Sequence, residues 1–245
     1  GSTATSRPDE AIYYVKNGQY KTTYKINIDG SEVANFETLD NSNSSNASSI
    51  TTDNIATELY NDLNSNLSGY TIVRDGSIIY VSKNSGTFTS SVSDGLGGDG
   101  LIQLKDKTGS FSDLPYKGYL NFEIEVTGDK GTEYDNYFVK WDGNAWVETV
   151  KDGLDNSFDT STMPHLLIRT ADGNFRFCKA DGSSYTIGST SYDEPSWKSR
   201  TCGDTITNPD PSFVGTKIND IFFYRNRLGI CADENVIFSK AGEFF

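Results

Sequence analysis

The chain has 245 residues, with 34 acidic against 21 basic for a formal charge of −13, and aromatic residues reach 13%. That length suffices for one large domain or two small ones, and 14 Tyr and 14 Phe beside a single Met favour β-structure over a helix bundle. The charge excludes a duplex reader, whose phosphate contacts need lysine and arginine, and no apolar run approaches the ~20 residues that span a bilayer.

Gly1-Ser2 reads as a tag scar, and residues 1–10 as a disordered arm. Residues 11–110 read as an α+β module. Ile12 to Lys16 forms a strand, and Asn17-Gly18 is a two-residue hairpin signal. Tyr20, Thr22, Tyr24, Ile26 and Ile28 then alternate with polar residues, the period of a half-buried strand. Asp29-Gly30 turns the chain into Glu32 to Glu37. Asp40 to Ser49 is almost wholly Asn, Ser and Asp, which predicts an exposed loop. Ile55, Leu59, Leu63 and Leu67, backed by Ala56 and Tyr60, make one apolar stripe at helical spacing. Thr52 or Asp53 is placed to cap that helix and Gly69 to end it. Tyr70 to Arg74, Asp75-Gly76 and Ser77 to Ser82 follow as a hairpin, so the helix lies on an antiparallel sheet.

Ser93 to Gly100 carries Asp94 and Asp99 among glycines. It lacks the regularly spaced oxygen ligands of a calcium loop, so it reads as a mobile, exposed loop. Residues 111–155 form a second small β unit. There Leu120, Phe122, Ile124 and Val126 alternate, Gly128-Asp129-Lys130-Gly131 turns the chain, and Tyr137, Val139 and Trp141 precede Asp142-Gly143 and Trp146 to Val150. Residues 156–217 are a connecting segment with short strands at His165 to Arg169, Phe175 to Lys179 and Tyr185 to Ile187. Pro195, Pro209 and Pro211 make its later part, from Ser191 to Ser212, extended and strand-poor, pinned by Trp197 and Phe213. Residues 218–245 form a terminal hairpin, Ile221 to Tyr224 with Asn235 to Ser239. The chain stops on Phe244-Phe245, apolar surface that wants a neighbour, and so reads as a piece of something longer.

Reactive chemistry finds little support. His165 is the single histidine, so any serine or cysteine triad would have to be built on it; after Pro164 it reads as a hydrogen-bonded structural residue. Cys178, Cys202 and Cys231 are odd in number and lack metal-ligand spacing, which reads as reduced thiols. No catalytic residue, metal site or cofactor is assigned. Arg225 and Arg227 read as carboxylate forks to Asp220, Asp233 and Glu234 that fix a structural turn. Trp141, Asp142, Asn144 and Trp146 are the alternative: a candidate glycan patch of a carbohydrate- or receptor-binding module, weighed against a turn with two core tryptophans. A glycan-degrading enzyme is a third reading, resting on carboxylates too numerous here to be informative.

Several segments, taken in chain order, carry a resemblance. They are Ala11-Ile12-Tyr13-Tyr14-Val15-Lys16 with Tyr20 to Ile26, then Thr162-Met163-Pro164-His165-Leu166-Leu167-Ile168-Arg169 with Ala171-Asp172-Gly173. Next come Trp197-Lys198-Ser199-Arg200 with Gly203-Asp204 and Thr207 to Gly215, and finally Ile218 to Gly229 with Asp233 to Phe245. Together they resemble the tail tubular protein B, or nozzle, family of T7-like short-tailed phages (podoviruses), a family whose members extend well past this segment. The resemblance implies a structural, non-enzymatic protein of the virion tail, assembled in the bacterial host cytoplasm. It implies self-association into a ring, a hexamer in the parent protein, that docks on the tail adaptor ring with tail fibres as further neighbours. DNA would be ejected through the channel without specific binding, and an acidic wall suits a sliding duplex. It also implies that Ile218 to Ser239 begins a β-propeller-like region. The fold expected is thus mainly β with one helix, a second small β unit and the start of a propeller.

Overall fold

A computed structural model describes residues 7–128 and 136–244. They fall into two compact units, residues 6–152 and residues 153–245, and each is described by itself. The architecture is mostly β, in several antiparallel sheets, and among the described residues no sheet closes.

The first unit contains β1 (Glu10–Val15), β2 (Thr23–Ile28), β3 (Ser31–Glu37), helix α1 (Thr52–Asn66), β4 (Tyr70–Asp75), β5 (Ile78–Lys83), β6 (Ser90–Ser93) and β7 (Leu101–Leu104). It continues with β8 (Lys107–Thr108), β9 (Glu123–Val126), β10 (Tyr137–Trp141) and β11 (Trp146–Thr149). Its middle layer is the sheet β4-β5-β1-β7. Alternate residues of β1 and β5 point to opposite faces, and both faces are apolar. Ala11, Tyr13, Val15, Ile79 and Val81 join a core with Ile55, Leu59 and Leu63 of α1 and Tyr24 and Ile26 of β2. Ile12, Ile78 and Tyr80 join a second core with Phe122, Ile124, Val126 and Val139. The stretch predicted as a separate small β unit, forming the sheet β11-β10-β9-β8, therefore covers the outer face of this middle sheet.

This layering overturns the hairpin predicted at Asn17-Gly18. β1 pairs with β5 and β7, whereas β2 pairs with β3 and β6 in another sheet. A strand with Ala11, Ile12, Tyr13 and Val15 all fully buried needs neighbours on both edges and cover on both faces. Gly18 serves a close approach instead: a Cβ there would sit 1.9 Å from the Ile50 carbonyl oxygen. The Tyr24 hydroxyl braces the bend, donating to the Asn17 carbonyl and accepting from the Gln19 N–H.

The helix buries Ile55, Ala56, Leu59 and Leu63 as the stripe predicts, but it ends at Asn66, with Leu67 as its C-cap ahead of the predicted Gly69; each fully buried leucine is worth about 1.5–3 kcal/mol. Its N-cap is Thr51, one residue before the predicted positions, with its hydroxyl oxygen accepting from the Asn54 N–H. Asp40 to Ser49 is not wholly loop, because Ser44–Ile50 forms a 3-10 helix capped by the Asn43 side chain. Short polar side chains supply its bonds: Ser49 Oγ donates to the Asn46 carbonyl and Asn46 Nδ2 to the Asp40 carbonyl, the local competition at which Ser and Asn excel. Asp29-Gly30 turns β2 into β3 as predicted, both residues at positive φ. In the next hairpin the two turn residues are Gly76-Ser77, since Asp75 still pairs with Ile78. Gly128 has positive φ, but the rest of the turn predicted from it to Gly131 lies outside the described residues.

The second unit holds two hairpins, β12 (Leu166–Arg169) with β13 (Phe175–Cys178) and β14 (Ser184–Ile187) with β15 (Thr190–Asp193), and one open sheet. That sheet is β16 (Ile218–Tyr224), β17 (Arg227–Ala232) and β18 (Asn235–Phe238). The predicted terminal hairpin is thus a three-stranded meander whose central strand was not expected. Gly229 lies within this central strand, and the Phe222 ring sits over it, so close that a Cβ there would meet the ring at 2.5 Å. Trp197 and Phe213 do pin the proline-rich crossing, their ring centroids 6.3 Å apart. They pack with Met163, Leu228, Ile230 and Ala232. Among the described residues these strands form a single open sheet and no further blade.

Candidate functional site

Asp94, placed by sequence in an exposed loop, is buried. Its carboxylate accepts four backbone hydrogen bonds, from Leu96 (2.8 Å), Gly98 (3.1 Å), Gly100 (2.6 Å) and Leu101 (2.9 Å). Burial pushes this carboxyl upward, but the four donors outweigh it and hold the group below the ordinary carboxylate range. One side chain thereby shapes the glycine loop that returns the chain to β7. Among the described residues no group of three or more His, Cys, Asp or Glu is arranged to hold a metal ion.

A cleft of about 780 Å³ in the first unit is lined by Arg7, Asp9, Glu10, Glu123, Glu125 and Lys151, among others. Glu10 is committed: Arg7 forks its Oε1 at 3.0 and 2.6 Å, and the Tyr80 hydroxyl donates to Oε2 at 2.8 Å. Glu123 keeps one buried oxygen without a hydrogen-bond partner. Burial raises its carboxyl to about 7; Asp152 and Glu10 push the same way, against Arg7 and Lys140. The cleft thus holds one perturbed acid, Glu123, beside the charge-paired Glu10, with Asp9, Asp106, Glu125 and Asp152 also on its wall.

His165 faces its own backbone. Its Nδ1 lies 3.1 Å from the Met163 carbonyl, which can only accept, so the proton sits on Nδ1. Its ring stacks on Phe177 with centroids 5.4 Å apart. Cys178, Cys202 and Cys231 are free thiols.

The carboxylate forks predicted for the arginines do not form. Arg225 and Asn226 are the two positive-φ residues of the β16–β17 turn, and the Arg225 guanidinium lies 5.3 Å from the centre of the Tyr224 ring. Arg227 Nη1 donates to the Ser239 carbonyl at 3.0 Å. Asp233 and Glu234 make the β17–β18 turn at the other end of β17, and Asp220 pairs with Cys231 near that same end. A six-residue strand puts roughly 20 Å between the two ends, too far for any fork.

The tryptophan patch is internal only in part, since Trp146 is half-buried and Asp142 and Asn144 are exposed. Trp141 is buried, its ring 5.5 Å from that of Trp146. Trp146 Nε1 donates to the Pro115 carbonyl at 2.8 Å, and Gly118 passes so close that a Cβ would meet the Trp146 ring at 2.9 Å. Asp142 Oδ1 accepts from the Asn144 and Ala145 N–H groups at 2.8 and 2.7 Å, an Asx turn that closes the β10–β11 hairpin. Packing thus occupies the Trp141 indole, and turn chemistry one oxygen of the Asp142 carboxylate. Sequence reasoning missed Glu123 altogether; its only local signal is a glutamate at the head of an alternating strand.

The fold defines a class of layered, mostly β proteins with aromatic cores. The chain belongs to the bacteriophage nozzle protein family, whose model matches residues 1–245. It is 32% identical over 242 residues to tail tubular protein gp12 of Escherichia phage T7, an alignment covering 96% of this chain and 28% of that protein. The family makes it a structural component of a phage tail. Among the described residues no helix is long and apolar enough to cross a membrane.

Proposed function

We propose that this chain is part of a non-enzymatic subunit of the tail nozzle ring of a short-tailed phage. Six copies of the parent subunit surround an axial channel, the ring seats on the tail adaptor, and DNA leaves through it in the assembled virion. The observation that carries the reading is the family match along the whole chain; the relative's name adds that it is tubular. The −13 charge supports a wall past which phosphate slides without adhering, since acidic surface repels the duplex over about a Debye length, ~8 Å at physiological salt.

Cryo-electron microscopy of the parent protein mixed with its cognate tail adaptor tests this directly. The expected result is a closed ring with an axial opening wide enough for duplex DNA. A monomer that ignores the adaptor overturns the reading.

A further inference from the structure

We propose that the β12–β13 hairpin is the surface by which one copy of this chain docks on the next, head to tail, an inference that rests on the ring reading above. In this hairpin Leu167 pairs with Phe177 and Arg169 with Phe175. Because cross-strand partners share a face, these four side chains stand together. Leu167, Phe175 and Phe177 are 66%, 68% and 71% exposed, and His165 extends the surface by stacking on Phe177. The opposite face is tied down, with Cys178 buried and Arg176 Nε donating to Glu194 Oε1. The hairpin therefore turns its aromatic side outward. Two phenylalanines and a leucine in one exposed cluster form the kind of apolar patch that marks a protein contact, and a two-stranded hairpin is marginal without cover.

Charge selects the occupant. The segment from His165 to Lys179 holds Arg169, Arg176 and Lys179 against one acid, Asp172, whose carboxylate is taken up by Thr170 and Asn174 within the turn. Arg169 stands on the aromatic side opposite Phe175, and the exposed Lys179 directly follows the strand. The rest of the chain has the opposite sign: residues 1–152 hold 22 of the 34 acidic but only 12 of the 21 basic residues. A second copy thus offers acidic surface to an apolar face rimmed by cations. Face-to-face pairing of two such hairpins would set cation against cation, so the complementary contact joins two different surfaces. Such a heterologous contact closes into a ring or runs on as a filament, and does not stop at a two-fold dimer.

Sedimentation of the chain over a concentration series, beside Phe177→Asp and Arg169→Glu, provides the test. Circular dichroism melts confirm that both variants are folded. The wild type is expected to self-associate, and Phe177→Asp to weaken association roughly thirty-fold or more, the effect of losing one hot-spot residue. Arg169→Glu is expected to weaken it less and to blunt its salt dependence. Phe177→Asp mixed in excess with wild type is expected to cap growing oligomers, because its receiving surface is intact. If Phe177→Asp assembles as well as wild type, the hairpin assignment is wrong while the ring reading stands. A chain that stays monomeric at every concentration overturns the hairpin assignment, while the ring reading, which concerns the parent subunit, is decided by the adaptor experiment above. A mixture that yields only two-fold dimers overturns the head-to-tail geometry.

Discussion

The β4-β5-β1-β7 sheet of the first unit and the β12–β13 hairpin of the second handle apolar residues in opposite ways. In the sheet, β1 and β5 bury successive residues on both faces, and separate cores cover each side. In the hairpin one face is held inward, while Leu167, Phe175 and Phe177 stand open. The first arrangement supplies its own stability. The second leaves its surface for something else to cover. Within one chain, then, apolar content alone does not identify core; what decides is whether a second layer lies against the face.

Substitutions at three positions break or sharpen that contrast. Leu63→Ala, which removes a fully buried side chain between α1 and the sheets, is expected to cost about 2–5 kcal/mol, read as a lowered denaturant midpoint. Asp94→Ala comes next, at about 1–3 kcal/mol for leaving buried N–H groups unsatisfied. This effect depends on pH. Because Asp94 titrates below its unfolded value, its contribution is present above the unfolded pKa, near 4, and is lost as pH falls through the lower folded value. Melts of wild type and Asp94→Asn should therefore converge toward acid pH; parallel curves would show that the charge itself contributes nothing. Phe175→Ser has the smallest expected effect, within about 0.5 kcal/mol, despite removing an aromatic ring. A large loss of stability there would show that the hairpin face is covered within the chain.

Much of the first unit was legible because its signals are local. The stripe of Ile55, Leu59 and Leu63 fixes the helix, and the Asp29-Gly30 pair needs only two residues at positive φ. What escaped was pairing between distant segments. Ala11 to Val15 and Ile78 to Val81 are unbroken apolar runs, the signature of a strand buried on both faces. Asn17-Gly18 nevertheless suggested a hairpin, because turn chemistry says nothing about which strand lies alongside. The site reading failed for a related reason. Asp233 and Glu234 are near Arg225 and Arg227 in sequence, but an intervening strand carries them to the far end of the sheet. Glu123 shows the same limit, since its perturbed proton depends on neighbours recruited from elsewhere in the fold.

The central position of β1 also governs how the chain is made. This first strand pairs with β7, Tyr14 opposite Ile102, so its partner leaves the ribosome about 90 residues later, a delay of roughly 5–20 s at ordinary rates of synthesis. Until β5 emerges Ala11 to Val15 is a naked apolar ribbon with both edges unsatisfied, and the second edge stays open until β7 follows. The nascent protein thus passes through an interval in which its future centre is its stickiest part, and the yield of folded protein depends on what shelters that ribbon meanwhile.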